Sequence, residues 1–283
     1  MCDAAVTTVR VGISGWTYPA WRGRFYPTGL PQRRELEHAS RRVSSVEING
    51  SFYSLQRPTS YLAWHGQTPP DFVFAVKGGR FITHLKKLAD VEIPLANFFA
   101  SGVLALGAKL GPFLWQLPPN LGFHAERMAT FFDLLPRTTA QAAELAARHD
   151  SRLDGRALTT TSVDRPLRHA VEVRHATFLD PAFPELLRAH DIGSVVADSA
   201  GRWPLLEQVT SDFVYVRLHG AEELYVSGYT ADALDAWAQR VRRWHAGGLD
   251  VFVYFDNDAK VHAPFDAIAL SERLGLTTTG PLP

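Results

Sequence analysis

The chain has 283 residues, with 29 Lys and Arg balanced by 29 Asp and Glu. A hydrophobic share of 46% and a charged share of 20% describe a globular chain with material for one large core, not a disordered one. Zero formal charge lacks the basic excess by which nucleic-acid-binding domains neutralise phosphate, and the single cysteine, Cys2, excludes an intrachain disulfide or a Cys-based zinc site.

Eight short runs of β-branched or aromatic residues end in polar residues: Val9–Ser14, Ser45–Asn49, Phe72–Lys77, Phe113–Leu117, Ala170–Arg174, Ser194–Asp198, Phe213–His219 and Val251–Asp256. Each is almost continuously apolar before its end, as strands buried on both faces of a parallel sheet are. Helical segments are expected between them, at Leu36–Arg42, Ser60–Gln67, Ile93–Leu106, Ala125–Leu135, Pro181–His190, Thr230–Ala246 and Ala263–Leu274. Pro181 and Thr230 mark helix starts, and Gly247-Gly248 marks a stop. The link Arg202–Val209 after strand six has room only for a stunted helix, and Arg137–Arg168 reads as an insertion between strands four and five with an extra helix over Ala140–His149.

Eight strand–helix units in this length predict an α/β fold, a (β/α)8 TIM-type barrel in one domain over 1–283, with a frayed tail over 277–283. The rival, a doubly wound open sheet, normally carries a glycine-rich phosphate loop after strand one. Gly12-Ile-Ser-Gly15 is not that loop. Met1–Arg10 lacks the apolar core of a signal peptide, and no run approaches the roughly 18 apolar residues of a membrane span, so a cytoplasmic protein without a membrane partner is expected.

In such a barrel the C-terminal strand ends surround the working site. Here they carry chemistry. Glu47 and Asn49 share one parity on strand two, Glu172 and Arg174 on strand five, Arg217 and His219 on strand seven, so each pair can point inward together. Lys77 ends strand three, Gln116 lies in strand four, Asp198 ends strand six, and Asp256-Asn257 follows strand eight. Lys77 is one of only five lysines against 24 arginines. A buried amine there is a base, a Schiff-base nucleophile or an anion anchor, or else a salt-bridge partner of Glu47 or Glu172. His84, just past strand three, and His219 are proton shuttles or hydrogen-bonded structural groups. Trp16, Tyr53, Tyr225 and Tyr229 stand on mouth loops where aromatic rings stack on sugars or bases.

Several of these residues lie in runs that, taken together, resemble the YecE-like family, domain of unknown function 72. They are Gly12-Ile-Ser-Gly-Trp-Thr-Tyr18, Val46-Glu-Ile-Asn49, Phe74-Ala-Val-Lys77, Ile82-Thr-His84, Gln116-Leu-Pro-Pro119, Val171-Glu-Val-Arg-His175, Tyr215-Val-Arg-Leu-His-Gly220 and Tyr254-Phe-Asp-Asn257. The resemblance spans nearly the whole chain. It implies a TIM-type barrel and no settled activity. The chain departs from the family pattern over Asp256–His262, where Asn-Asn or Asn-Thr followed by glycine is usual.

The leading expectation is an enzyme acting by acid–base chemistry on a small polar or anionic substrate, phosphorylated or sugar-like. Lys77, Arg174 and Arg217 would hold the anion; Glu47, Glu172 and Asp198 would supply acid and base, with Lys77 and His219 in the catalytic set. Trp16, Asn49, Tyr53, His84, Gln116, Tyr225, Tyr229, Asp256 and Asn257 would complete the substrate site. A second reading is a hydrolase, isomerase or endonuclease dependent on Mg2+ or Mn2+ at Glu47, Glu172, Asp198, His219 and Asp256, against which the interleaved cations speak. A third is a non-catalytic ligand-binding protein on an enzyme fold. No cofactor is indicated, no residue is assigned to a metal, and the oligomeric state is not readable.

Overall fold

A computed structural model describes residues 7–276; Cys2 and the expected tail at 277–283 lie outside the described residues. Eight parallel strands close into a barrel in the order β1 to β8. They are β1 Val9–Ser14, β2 Ser45–Ile48, β3 Val73–Lys77, β4 Leu110–Gln116, β5 His169–Glu172, β6 Gly193–Asp198, β7 Phe213–Leu218 and β8 Asp250–Phe255. The helices are α1 Glu35–Ala39, α2 Gly50–Tyr53, α3 Pro58–Gln67, α4 Glu92–Ala100, α5 Ala125–Asp133, α6 Thr139–Ala146, α7 Ala182–Ala189, α8 Ala231–Ala246 and α9 His262–Leu274. The (β/α)8 expectation holds.

Strand parity sorts the apolar residues into two layers. Ala75, Leu114, Ala170, Val195, Ala197, Phe213, Tyr215, Phe252 and Tyr254 form a cluster of their own inside the barrel. Their neighbours on the other parity, such as Val46, Ile48, Val171, Val196 and Val216, pack outward into the larger layer beneath the helices. Small side chains on β3, β5 and β6 face large rings on β7 and β8, which fills the interior without a pore. The same parity, followed to the strand ends, sets which polar residues share the interior axis.

Two expectations change. The run Ile93–Leu106 is broken: α4 ends at Ala100, and Val103–Lys109 continues as 3-10 turns. The break is Gly102, at φ +114° and so close to α3 that a Cβ there would lie 2.5 Å from Pro58 Cα. After β6 no helix forms at all over 199–212. Instead Ser199 Oγ accepts from the Trp203 backbone N–H at 3.1 Å, turning the chain so that Trp203 covers the mouth. The β4–β5 segment carries α6 as expected, capped by Thr138, whose side chain accepts from Gln141 N–H. It lies at the strand starts, where Arg165 Nη2 donates to Leu110 O at 2.8 Å, opposite the mouth. Its length adds nothing to the polar end of the barrel.

Candidate functional site

Arg217 is the centre of the mouth. It stands on β7 at an interior position and is fully buried. Its Nε donates to Glu47 Oε2 (3.0 Å) and its Nη2 to Glu47 Oε1 (2.9 Å), a bidentate clamp across the barrel from β2. Nη1 donates to Glu172 Oε2 at 2.6 Å and Nη2 to Asp256 Oδ2 at 2.9 Å. Ser14 Oγ bridges Arg217 and Glu47, and the Tyr215 hydroxyl donates to Glu47 Oε2 at 2.7 Å. One guanidinium therefore serves three carboxylates brought from β2, β5 and β8. A charge this deep is tolerable only with such compensation.

The electrostatics follow from that geometry. Burial opposes ionisation of Glu172, but the Arg217 and Arg174 guanidiniums outweigh it and hold the carboxyl well below its usual range. Asp256 behaves likewise: burial is overcome by Arg217, His219 and Lys77, and its pKa falls. His219 is buried beneath Trp203 and Tyr225, its Nδ1 3.0 Å from Asp256 Oδ2 but poorly aligned for a hydrogen bond, and its Nε2 3.4 Å from Arg217 Nη1. Of the three carboxylates, only Asp256 reaches the mouth, with 12% of its side chain exposed against 0% for Glu47 and Glu172.

A second group lines β3, β4 and β5. Lys77 is buried, with its ammonium 4.5 Å from the Phe52 ring centre. Among the described residues it makes no salt bridge, so the alternative of a bridge to Glu47 or Glu172 is not realised; Arg217 has taken both. Burial first, then the neighbouring Arg217, lowers the Lys77 amine to about 8. Arg174 donates from Nε to Glu172 Oε1 (2.8 Å) and from Nη2 to the Tyr225 hydroxyl (3.1 Å), and lies flat on Trp203 at 3.7 Å. His84 hydrogen-bonds Thr83 Oγ1 at 2.9 Å through Nδ1 and meets Gln116 Nε2 at 3.5 Å. Burial, then Lys77 and Arg174, press its pKa down to about 4, so His84 is neutral at pH 7.

The structure thus brings Glu47, Glu172, Arg217, His219 and Asp256 into one cluster and sets Lys77, His84, Gln116, Arg174 and Tyr225 beside it. Trp16, Asn49 and Tyr53 line a separate recess at the rim. Three expected residues stand elsewhere, among them Tyr229, which is buried in the helix layer against Phe255 rather than open to the mouth. Asp198 has the outward parity of Val196; it accepts from the Tyr229 hydroxyl at 3.1 Å and takes no part in the Arg217 cluster. Asn257, one residue beyond the inward Asp256, turns into the helix layer and donates to Asp266 Oδ2 (2.8 Å) and Ser227 O (2.9 Å). Arg217 itself is not an anion anchor, since its N–H groups are committed to carboxylates and Ser14.

Four participants were not singled out as site residues from sequence. Ser14 and Tyr215 share interior parity with Glu47 and Arg217, a signal that was there to read. Trp203 lies in a link without periodicity and gave none. Asp258 is pushed up to about 6 by burial and by Asp256, and lies in the run that departs from the family pattern.

Metal binding finds little room. A divalent ion at Glu47, Glu172 and Asp256 would have to displace the guanidinium that already joins them. Among the described residues no group of three His, Cys, Asp or Glu has the spacing to hold one. A cavity of about 750 Å3 opens at the opposite end of the barrel and is lined by four arginines. Arg168 there is spanned by Asp212 and Asp250 at 2.6 Å each, and Arg165 donates to two backbone carbonyls. These contacts tie down the strand starts, the stability face of such a barrel.

Fold and mouth together define a (β/α)8 barrel protein with a buried, charge-balanced polar centre at its C-terminal end. Residues 10–283 match the family described as Protein of unknown function DUF72, and the chain belongs to that family. It is similar to the UPF0759 protein YecE of Escherichia coli strain K12, 22% identical over 244 residues, 84% of this chain and 82% of that one. It is also similar to the UPF0759 protein YunF of Bacillus subtilis strain 168, 22% identical over 307 residues, 97% and 98% of the two chains. A crystal structure of a DUF72 family protein from Thermotoga maritima superposes with a TM-score of 0.75 at 24% identity, over 95% of this chain and 99% of that one. One from Enterococcus faecalis gives 0.71 at 17%, over 95% and 96%.

Proposed function

We propose that this barrel is an enzyme performing acid–base chemistry on a small anionic substrate held at the C-terminal mouth. One observation carries the reading. Among the described residues Lys77 is a buried cation without a carboxylate partner, while the three carboxylates beside it are all joined to Arg217. An unpaired buried ammonium is costly, and an anionic oxygen is what would complete it. Arg174, fixed flat on Trp203, offers a second cation to the same quadrant.

The protonation states suit catalysis. With a pKa near 8, the Lys77 ammonium is charged at neutral pH and can hold an oxyanion, yet is weak enough to give up a proton to it. Asp256, the carboxylate that reaches the mouth, is ionised but held too acidic to be a good base, and Asp258, pushed up to about 6, is the carboxylate better suited to accept one. Glu47 and Glu172 hold Arg217 and Arg174 in place; they position the site and do not meet the substrate.

The test is thermal shift against phosphorylated metabolites, carboxylates and divalent metals, with Lys77→Ala and Glu172→Gln in parallel. The expected result is a rise in melting temperature with an anionic compound, lost in Lys77→Ala. Stabilisation by metals alone would favour the metal-dependent reading. No stabilisation, with both variants melting below the wild type, would make the cluster a structural network and end the enzyme reading.

A further inference from the structure

At the β1–β2 rim lies a recess of about 290 Å3. Trp16 and Trp64 meet edge to face in its wall, with ring centres 5.2 Å apart. Tyr53 stands at its edge, 71% exposed. The link to the anion quadrant is α2: Phe52 lies under the Lys77 ammonium, and the adjoining Tyr53 ring, 5.1 Å from that of Phe52, lines the recess.

Two side-chain amides at this recess, Asn49 and Gln56, keep an oxygen to spare. The Tyr18 hydroxyl donates to Ser14 O at 2.6 Å. Asn49 Oδ1 is covered and, among the described residues, without a partner. Gln56 spends its NH2 group on Gly50 O, Ser54 O and Ser54 Oγ, at 3.0, 3.1 and 3.2 Å. A buried amide oxygen left unpaired costs more than the bond it lacks, and its terminal torsion is soft enough to turn it to the recess wall. A ligand suited to these walls brings hydroxyl donors and a C–H face for the rings.

We propose that this recess is a sugar-ring subsite, taking the hydroxylated ring of an anionic sugar whose charged group sits at Lys77. The assignment deepens the anion reading of the mouth and rests on it for the charged end alone. Aromatic walls supply area for the ring, and the spare oxygens select hydroxyls.

The test is titration by tryptophan fluorescence and calorimetry with inorganic phosphate, ribose, glucose, ribose 5-phosphate, glucose 6-phosphate and free adenine. The proteins are wild type, Trp16→Ala, Asn49→Leu and Gln56→Leu, with circular dichroism to confirm folding. Asn49→Leu and Gln56→Leu keep the test open should Trp16→Ala fail to fold. A sugar phosphate is expected to bind roughly tenfold tighter than phosphate. The recess variants should lose that gain and keep wild-type phosphate affinity. A sugar phosphate binding no tighter than phosphate, variants losing both ligands equally, or adenine binding where sugars do not, would each overturn the subsite. If phosphate fails to bind but a neutral sugar binds wild type and not Asn49→Leu, the recess stands and the anion reading of the mouth falls.

Discussion

Arg217 and Lys77 are both cations at the end of a parallel barrel, and their neighbours give them opposite work. Arg217 is over-satisfied: three carboxylates raise its pKa against the pull of burial. Replacing it with Met would strand those carboxylates. The expected loss is about 3–5 kcal/mol in urea unfolding at pH 7, the range for breaking one side of a buried ion pair. The loss should shrink at acid pH, where the carboxylates protonate; a loss that stays constant with pH would contradict this origin. Lys77 is under-satisfied. Its amine titrates at about 8 when folded and near 10.4 when unfolded. Between those values the unfolded chain binds more protons, so stability rises with pH across that window, and the full penalty applies below it. Lys77→Met should therefore stabilise the protein at pH 7 by up to about 3 kcal/mol, with the gain gone above about pH 10.5. A variant less stable than wild type at pH 7 would show that the amine has a partner the structure does not give it.

At the scale of elements, the eight polar strand ends that the sequence displays are real, and parity decides what each does. The alternation argument for Glu47, Glu172 with Arg174, and Arg217 with His219 reads the interior correctly, because parallel strands leave a side chain only two directions. For Asp198 and Asn257 the alternation points the other way, into the helix layer. Their sites were legible from the same rule, counted from Val195 and Tyr254. Which carboxylate pairs with which cation was not legible, since it depends on ring closure bringing β2, β5 and β8 to within a guanidinium's width of one another. Nor was the break in the Ile93–Leu106 helix, which comes from the close approach of Pro58 to Gly102, forty-four residues apart in sequence. Gly102→Ala should cost at least about 1–3 kcal/mol, since it combines positive φ with a backbone clash. Thermal unfolding checks this; an unchanged melting temperature would mean that α3 moves freely against α4.

Across the whole molecule, the two ends of the barrel divide stability from chemistry. At the strand starts, Arg168 is held by Asp212 and Asp250, and Arg165 of the β4–β5 segment is tied to the start of β4. At the strand ends, the acids gather under Arg217 and the cations of β3 and β5 are left facing the mouth. The charge is balanced in sum and separated in space, which a net charge of zero conceals. Binding of an anion to that quadrant should weaken with added salt less than surface binding does, because the Lys77 amine is buried. The most direct measurement is an NMR titration of the Lys77 ε-methylene, identified by its loss in Lys77→Met, with and without phosphate. A free Lys77 amine titrates near 8 in the unliganded protein, and its pKa rises when phosphate binds beside the ammonium. Titration near 10.4, unmoved by phosphate, would contradict it.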